Sequence, residues 1–438
     1  MADHGPVATE TALQRLVTVY IVTGLLFLVL PGTLLGVWNL VSISGRHSLN
    51  GLSQSWLQAH GHAQIFGWIG TFIIGIGYYS LTKMGGLKPF AVSRGWLSWT
   101  LWSCGTTLRW VANVSEWNWR VLLPVSAAFQ LAAFLIFFRT VSGHKRPDKP
   151  LKRTRIESWM KLVIASTTMF LLALLVNLVV TLALAATSSH PEIPHWFDQR
   201  FLVLAAWGFP VLAAWGFNAR WLPVFLGLEL PSDRGLLSAM AACGCGICAA
   251  LFGQLLVATI LLLIASILAS LALNVFRSGV KPAKTLGVTN SFPYFVRSAY
   301  VWLLIAAVLG VGAAVSDVHG GIWGASRHAL TVGFLATMVF AIGQRVLPAF
   351  SGMRLLFSTK LMFASLAVLN VGCLLRVTSE VPAYEHNLPL AWRILPVSAL
   401  TELTAVVLFA VNLGITLLLL PPRRAEASAP GTMPEYRP

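Results

Sequence analysis

Histidine is scarce in strongly apolar sequence, yet His60, His62 and His328 each stand at the start of a long apolar run. An ionisable or ligating side chain inside such a run is costly and marks a functional position by default. Neutral imidazoles on two helices can hold a metal between them, and a flat group such as haem takes axial histidines from opposite sides of its iron. His62 and His328 form the candidate pair, with a hydrogen-bonded pair of interfacial histidines as the plain alternative. His60 lies two residues before His62, roughly 200° around a helix. Both cannot face one site from an unbroken helix, so His60 serves either a second metal site or an interfacial role.

Four arginines fall near the same ends of apolar runs: Arg109, Arg120, Arg376 and Arg393. Such side chains ordinarily snorkel to the interface. A guanidinium is also the natural bidentate partner of a carboxylate, haem propionates included. Glu116 and Glu402 are competing ion-pair partners. Cys243, Cys245 and Cys248 could offer thiolates to copper(I), but positions i, i+2 and i+5 do not share a helix face, and small residues at a helix contact explain them as well. No phosphate-binding loop, dinucleotide fingerprint or nucleophile triad is present.

The elements that carry these residues are membrane spans. The 438 residues are 56% hydrophobic and 11% charged, against about a quarter charged in soluble domains. Runs near 14–40, 60–82, 95–113, 119–139, 159–186, 200–226, 236–252, 254–276, 298–316, 328–349, 359–377 and 391–420 each approach the roughly 20 residues a bilayer requires. The stretch from Gly235 to Phe276 would reach about 60 Å as one helix, so it is divided at Phe252-Gly253-Gln254. The net charge of +16 resides in short loops, with Lys83, Lys88 and Arg94, then Arg139 to Arg155, then Arg277 to Arg297, and finally Arg423 and Arg424. That is a topology signal and needs no nucleic acid to explain it. It predicts both termini in the cytoplasm and the histidines near the outer face of the membrane. The expected organisation is one integral membrane domain over 1–438, with 421–438 a disordered cytoplasmic tail.

The chain also repeats itself. Laid without gaps, His62 to Leu87 pairs with His328 to Met353, aligning Gly67 with Gly333, Gly77 with Gly343 and Gly86 with Gly352. Val203 to Leu228 fits the same register, with Gly208 and Gly227 in the glycine columns and Val203 in the histidine position. Leu108-Arg109 matches Leu375-Arg376, and Trp119-Arg120 through Pro-Val-Ser-Ala matches Trp392-Arg393 through Pro-Val-Ser-Ala. Three units of four helices, at about 14–140, 159–276 and 298–420, would close a ring with the second, sixth and tenth helices equivalent. The expected fold is all-α and polytopic, with about twelve transmembrane helices.

The His60-x-His62…Phe-Gly start, the Arg-x-Leu-Pro-x-Phe exits at Arg220 and Arg345, His328-Ala-Leu-Thr-Val-Gly and Leu-Leu-Arg-Val at 374–377 resemble the NnrS family. Over about residues 55–415 the resemblance implies a bacterial inner-membrane protein holding haem and copper and linked to nitric oxide metabolism and nitrosative stress. The family's usual His-Ala-His-Glu-Met is here His60-Gly-His-Ala-Gln64, which removes a carboxylate. The architecture is similar to subunit I of the haem–copper oxidases and nitric oxide reductases, whose low-spin haem is held by histidines on the second and tenth helices. Those enzymes need further histidines on the sixth and seventh helices, which these runs lack. The expectations are therefore a b-type haem on His62 and His328, with Arg109, Arg376, Arg120 and Arg393 toward the propionates. Copper is the other metal that the resemblance implies, and His62, His328 and His60 are the candidate metal ligands. The protein would act in nitric oxide handling or electron transfer, with nitric oxide or dioxygen as the small ligand and the lipid bilayer as its surroundings. A haem–copper oxidoreductase is the alternative, and a solute or metal transporter a third.

Overall fold

The computed structural model describes residues 6–84, 91–142 and 156–421. Twelve long helices follow in order: α1 (6–46), α2 (54–84), α3 (Val92–Ser115), α4 (Trp119–Ser142), α5 (Ser158–Thr187), α6 (His195–Leu226), α7 (Asp233–Leu251), α8 (Leu255–Ala272), α9 (Phe292–Ser316), α10 (Gly321–Phe350), α11 (Thr359–Tyr384) and α12 (Pro389–Leu418). Ten are long and apolar enough to cross a membrane. The remaining two, α2 and α3, carry His60, His62 and Arg109. The division between α7 and α8 falls at 252–254, where Gly253 takes φ +83°, a conformation open to glycine without penalty. Helices α1 and α12 pack together through Leu40, Ile43, Trp392 and Leu395, so the bundle closes on itself. Lys88, Lys145, Lys149, Arg423 and the 422–438 tail lie outside the described residues.

The three four-helix units share packing details. In the second helix of each unit a glycine admits the first. A Cβ on Gly67 would sit 3.1 Å from Phe27 of α1, one on Gly208 3.0 Å from Met169 of α5, and one on Gly333 2.5 Å from Trp302 of α9. In the third helix another glycine admits the fourth. A Cβ on Gly105 would lie 2.9 Å from Gln130 Cγ, one on Gly246 3.1 Å from Leu262 Cγ, and one on Gly372 2.7 Å from Glu402 Cγ. Close backbone approach through small residues is how helices pack without a hydrophobic driving force. The Gly67, Gly208 and Gly333 column of the sequence is therefore a helix contact, whereas Gly227 and Gly352 take positive φ after their helices and Gly343 meets only its own helix.

The second helices also share a local unwinding. A π-helical stretch occupies Ala63–Gly70 in α2, Trp207–Val211 in α6 and Ala329–Ala336 in α10, coinciding with the repeat register. A fourth occupies Leu28–Leu34 in α1. Such wide turns are rare and gather at functional sites. α6 and α10 are the most enclosed, with 83% and 78% of their apolar windows buried, against 33–44% for the other candidate spans. Phe66 of α2 stacks with Phe201 of α6, and Trp68 meets Phe340 of α10. Helices α2, α6 and α10 thus form the inner ring. Tyr78 lies within this packing, fully buried beside Tyr20 and Phe137, rather than at the interface its position near a helix end suggests.

Candidate functional site

Both buried polar clusters lie toward the end of the bundle at which α1 joins α2, hereafter the histidine end. The first surrounds His62, which is 8% exposed and stacks on Phe66 at 4.6 Å. Its hydrogen bonds have a forced direction. Thr106 Oγ1 donates its single proton to the Trp102 carbonyl at 2.9 Å, so it can only accept from Gln130 Nε2 at 3.1 Å. Gln130 therefore turns its Oε1 to His62 Nε2, 3.2 Å away. An amide oxygen only accepts, so His62 carries its proton on Nε2 and that nitrogen is committed. Beside it Arg109 is 2% exposed, and its Nη1 donates to Asn177 Oδ1 at 3.4 Å. Arg109 Nε and Asn177 Nδ2 are buried donors with no acceptor.

The second cluster surrounds His328 in the third unit. His328 Nδ1 lies 2.9 Å from the Gly324 carbonyl and 3.2 Å from Glu380 Oε2. A carbonyl and a carboxylate both accept, so Nδ1 bears the proton and Nε2 keeps its lone pair. Metal-binding histidines are oriented this way, with the far ring nitrogen donating to a carbonyl or carboxylate. Glu380 Oε1 in turn accepts from Arg376 Nη2 at 3.1 Å. Arg376 Nε and Nη1 and Glu402 Oε1 are buried without partners. Cys373 Sγ sits 3.8 Å from the His328 carbonyl oxygen.

His60 belongs to neither cluster by sequence repeat. Its Nδ1 lies 2.8 Å from the Gly32 carbonyl of α1, which fixes the proton there and leaves Nε2 free. The ring fills a notch at Gly36, where a Cβ would stand 2.6 Å from His60 Cε1. From this notch His60 is within electrostatic reach of His328 and Arg376, whereas His62 is in reach of Arg109. The two histidines of α2 are thus turned toward different units.

In the middle unit the buried polar groups stand elsewhere: Asp198 and Gln199 are buried in the first turn of α6, where Gln199 Oε1 accepts from Arg327 of α10. Val203 replaces the histidine, and the helix contact at Gly246 places Leu262 where Gln130 and Glu402 stand. Continuing the Gly105–Gly246 correspondence sets Ala250, fully buried, opposite Arg109. Helix α6 begins at His195, five residues before the span expected from hydropathy, so one histidine does lie on the sixth helix. It is exposed in the first turn and bonds Gln199 at 3.3 Å. Cys243 is buried near the Trp207 carbonyl while Cys245 and Cys248 are exposed, so the three thiols diverge.

Arg120 and Arg393 are exposed at the rim. Arg120 donates to the Ser188 carbonyl at 3.1 Å and lies over Trp119. Neither is brought to a buried cluster, whereas Arg109 and Arg376 are. Sequence reasoning passed over Thr106, Asn113, Gln130, Asn177 and Glu380. The signal for Gln130 was present: the Pro-Val-Ser-Ala match that aligns α4 with α12 sets Gln130 opposite Glu402.

A family model described as a domain of unknown function (DUF8744) matches residues 227–415. No curated protein matches significantly. Among solved structures, a haem–copper terminal oxidase dimer determined by cryo-EM is similar over 94% of this chain and 85% of that chain, with a TM-score of 0.66 and 14% identity. At that identity the likeness shows the fold. The protein is an all-α, multi-pass membrane protein of three quasi-equivalent four-helix units, with the architecture of haem–copper oxidase subunit I.

Proposed function

We propose that the protein is a haem-binding protein of the bacterial inner membrane, acting in nitric oxide and nitrosative-stress metabolism or in electron transfer, as the NnrS resemblance implies. One observation carries the reading. At the same end of the bundle, imidazoles with an uncommitted Nε2 accompany buried guanidinium donors, at Arg109 and Arg376, that have no acceptor. Buried polar groups are almost always satisfied, and haem brings the two things these residues lack: an iron for the imidazoles and carboxylates for the guanidinium groups. His328 and a histidine of α2 would hold the iron, and Arg109 and Arg376 would receive the propionates. Bound there, haem would supply one-electron chemistry. The Gly324 and Gly32 carbonyls fix the imidazole tautomers, and the apolar inner ring excludes water.

Orientation follows from charge. The six loops at the histidine end contain no lysine or arginine, which favours both termini in the cytoplasm. Copper enters as a second metal competing for the same imidazoles. Reduction of dioxygen or nitric oxide at a haem–copper pair needs donors that Val203, Ala250 and Leu262 do not supply, so the oxidoreductase reading ranks second. The test is the absorption spectrum of protein purified from haem-replete cells, with elemental analysis for iron and copper. A Soret band with a b-type pyridine haemochrome is expected. A spectrum without haem overturns the reading.

A further inference from the structure

We infer that His60, and not His62, is the α2 imidazole that shares a ligand site with His328. The inference rests on the haem reading above and departs from the internal repeat, which makes His62 the counterpart of His328. Repeat equivalence relates positions within separate units, whereas a ligand pair requires two rings turned toward one space. Helix α2 is regular from Gln54 to His62, so the two side chains leave it roughly 200° apart. His62 is directed into its own unit, where Gln130, Arg109 and Phe66 surround it. His60 is directed toward α1, which packs on α12 of the third unit, and it is within electrostatic reach of His328 and Arg376.

Hydrogen bonding makes the same distinction independently. An iron ligand must present a bare ring nitrogen. His62 Nε2 donates to Gln130, and the reversed Gln130 amide is blocked because Thr106 is held as an acceptor, so the outer tip of the His62 ring is closed and its one bare nitrogen is Nδ1, beside the Cβ attachment and its own helix. His60 and His328 both protonate Nδ1 against a backbone carbonyl, Gly32 and Gly324, and both present Nε2. The notch at Gly32 and Gly36 holds the His60 ring in this attitude, since side chains at either position would displace His60 or Gln64. His62 is then a positioning residue that links α2 to α4.

Electron paramagnetic resonance and absorption spectra of haem-loaded full-length protein decide between the two. His60→Gly is expected to abolish the low-spin bis-imidazole signature, and added imidazole to restore it through the vacated notch. His62→Gln, which keeps a donor for Gln130, is expected to retain the signature, and His328→Ala to lose it. Retention in His60→Gly, or loss in His62→Gln with folding intact by size exclusion, overturns the assignment. Should His62→Gln fail to fold, retention or failed imidazole rescue in His60→Gly overturns it alone. Wild-type protein without haem instead overturns the functional reading, so the two failures are distinguishable.

Discussion

The first and third units build the same frame and fill it with different charge. Gly105 against Gln130 and Gly372 against Glu402 are one contact made twice. Around it Thr106 answers Cys373, Arg109 answers Arg376 and Asn113 answers Glu380. Two positions that are amides in the first unit are carboxylic acids in the third: Gln130 to Glu402 exchanges nitrogen for oxygen with little change of shape, and Asn113 to Glu380 also lengthens the side chain by one methylene. The first unit leaves Arg109 hydrogen-bonded to an amide oxygen with the Asp198 carboxylate within electrostatic reach, whereas the third holds Arg376 in a direct ion pair that also reaches His328. Backbone geometry was kept by glycine, and the electrostatics changed through single side chains.

That comparison can be broken in three places. The largest effect is expected at Glu380. Removing one member of a buried pair strands the other charge, at about 3–5 kcal/mol, so Glu380→Ala should sharply lower the thermal stability of the detergent-solubilised protein. Asn113→Ala loses a neutral bond to the Pro191 carbonyl, 2.7 Å long, and should cost about 1–3 kcal/mol. Equal losses would show that charge does not distinguish the units. Next, Gly105→Ala and Gly372→Ala should each cost about 1–3 kcal/mol by overpacking, measured in the same melts. A response in only one would sink the shared contact.

The smallest effect concerns a device found in the third unit, between 317–321 and Glu385. Burial opposes ionisation of Glu385, but the Gly321 amide, Asp317 and His319 outweigh it and hold its carboxyl at about 2. Asp317 is raised, chiefly by burial and also by Glu385, against the opposing amides of Trp323 and Gly320. The depressed Glu385 contributes stability above the usual carboxylate range and loses it as pH falls toward 2. The raised Asp317 contributes below that range and loses it as pH rises through its own shifted value. The cap should therefore be tightest at mildly acidic pH, where one proton serves both groups. Exchange of the Gly321 and Trp323 amides, corrected for intrinsic rates, should slow slightly as pH falls from neutral into the range, above the usual carboxylate value, where Asp317 takes up its proton. An unchanged rate would count against the shared proton.

Much of the frame was legible before any coordinates, because spans and breakers are local properties. The Phe252-Gly253-Gln254 division followed from length alone, and the glycine columns from their spacing. The twelve helices and their three units stand as expected. The direction of each histidine was not legible, since it depends on partners remote in sequence: Gln130 lies 68 residues from His62 and Gly32 lies 28 from His60. The π-helical stretches left no mark in hydropathy, because a widened apolar turn has the same composition as a regular one. His195 was placed in a loop because the polar first turn of α6, with Asp198 and Gln199, reads as the end of a span.

The widened turns following His62 and His328 have a consequence for how this chain tolerates change. Each stores a surplus residue, and the helix above it is set in phase with the helix below by that surplus. Deleting one residue from 63–70 would be taken up by the return of the stretch to ordinary winding, leaving the two halves of α2 close to their present phase, whereas deleting one from a regular turn rotates one half by about 100°. Every substitution discussed above alters one side chain. A deletion within 63–70 would instead shorten the helix while leaving His60 and His62 close to their present directions, so the widened turn buffers the register on which their chemistry depends.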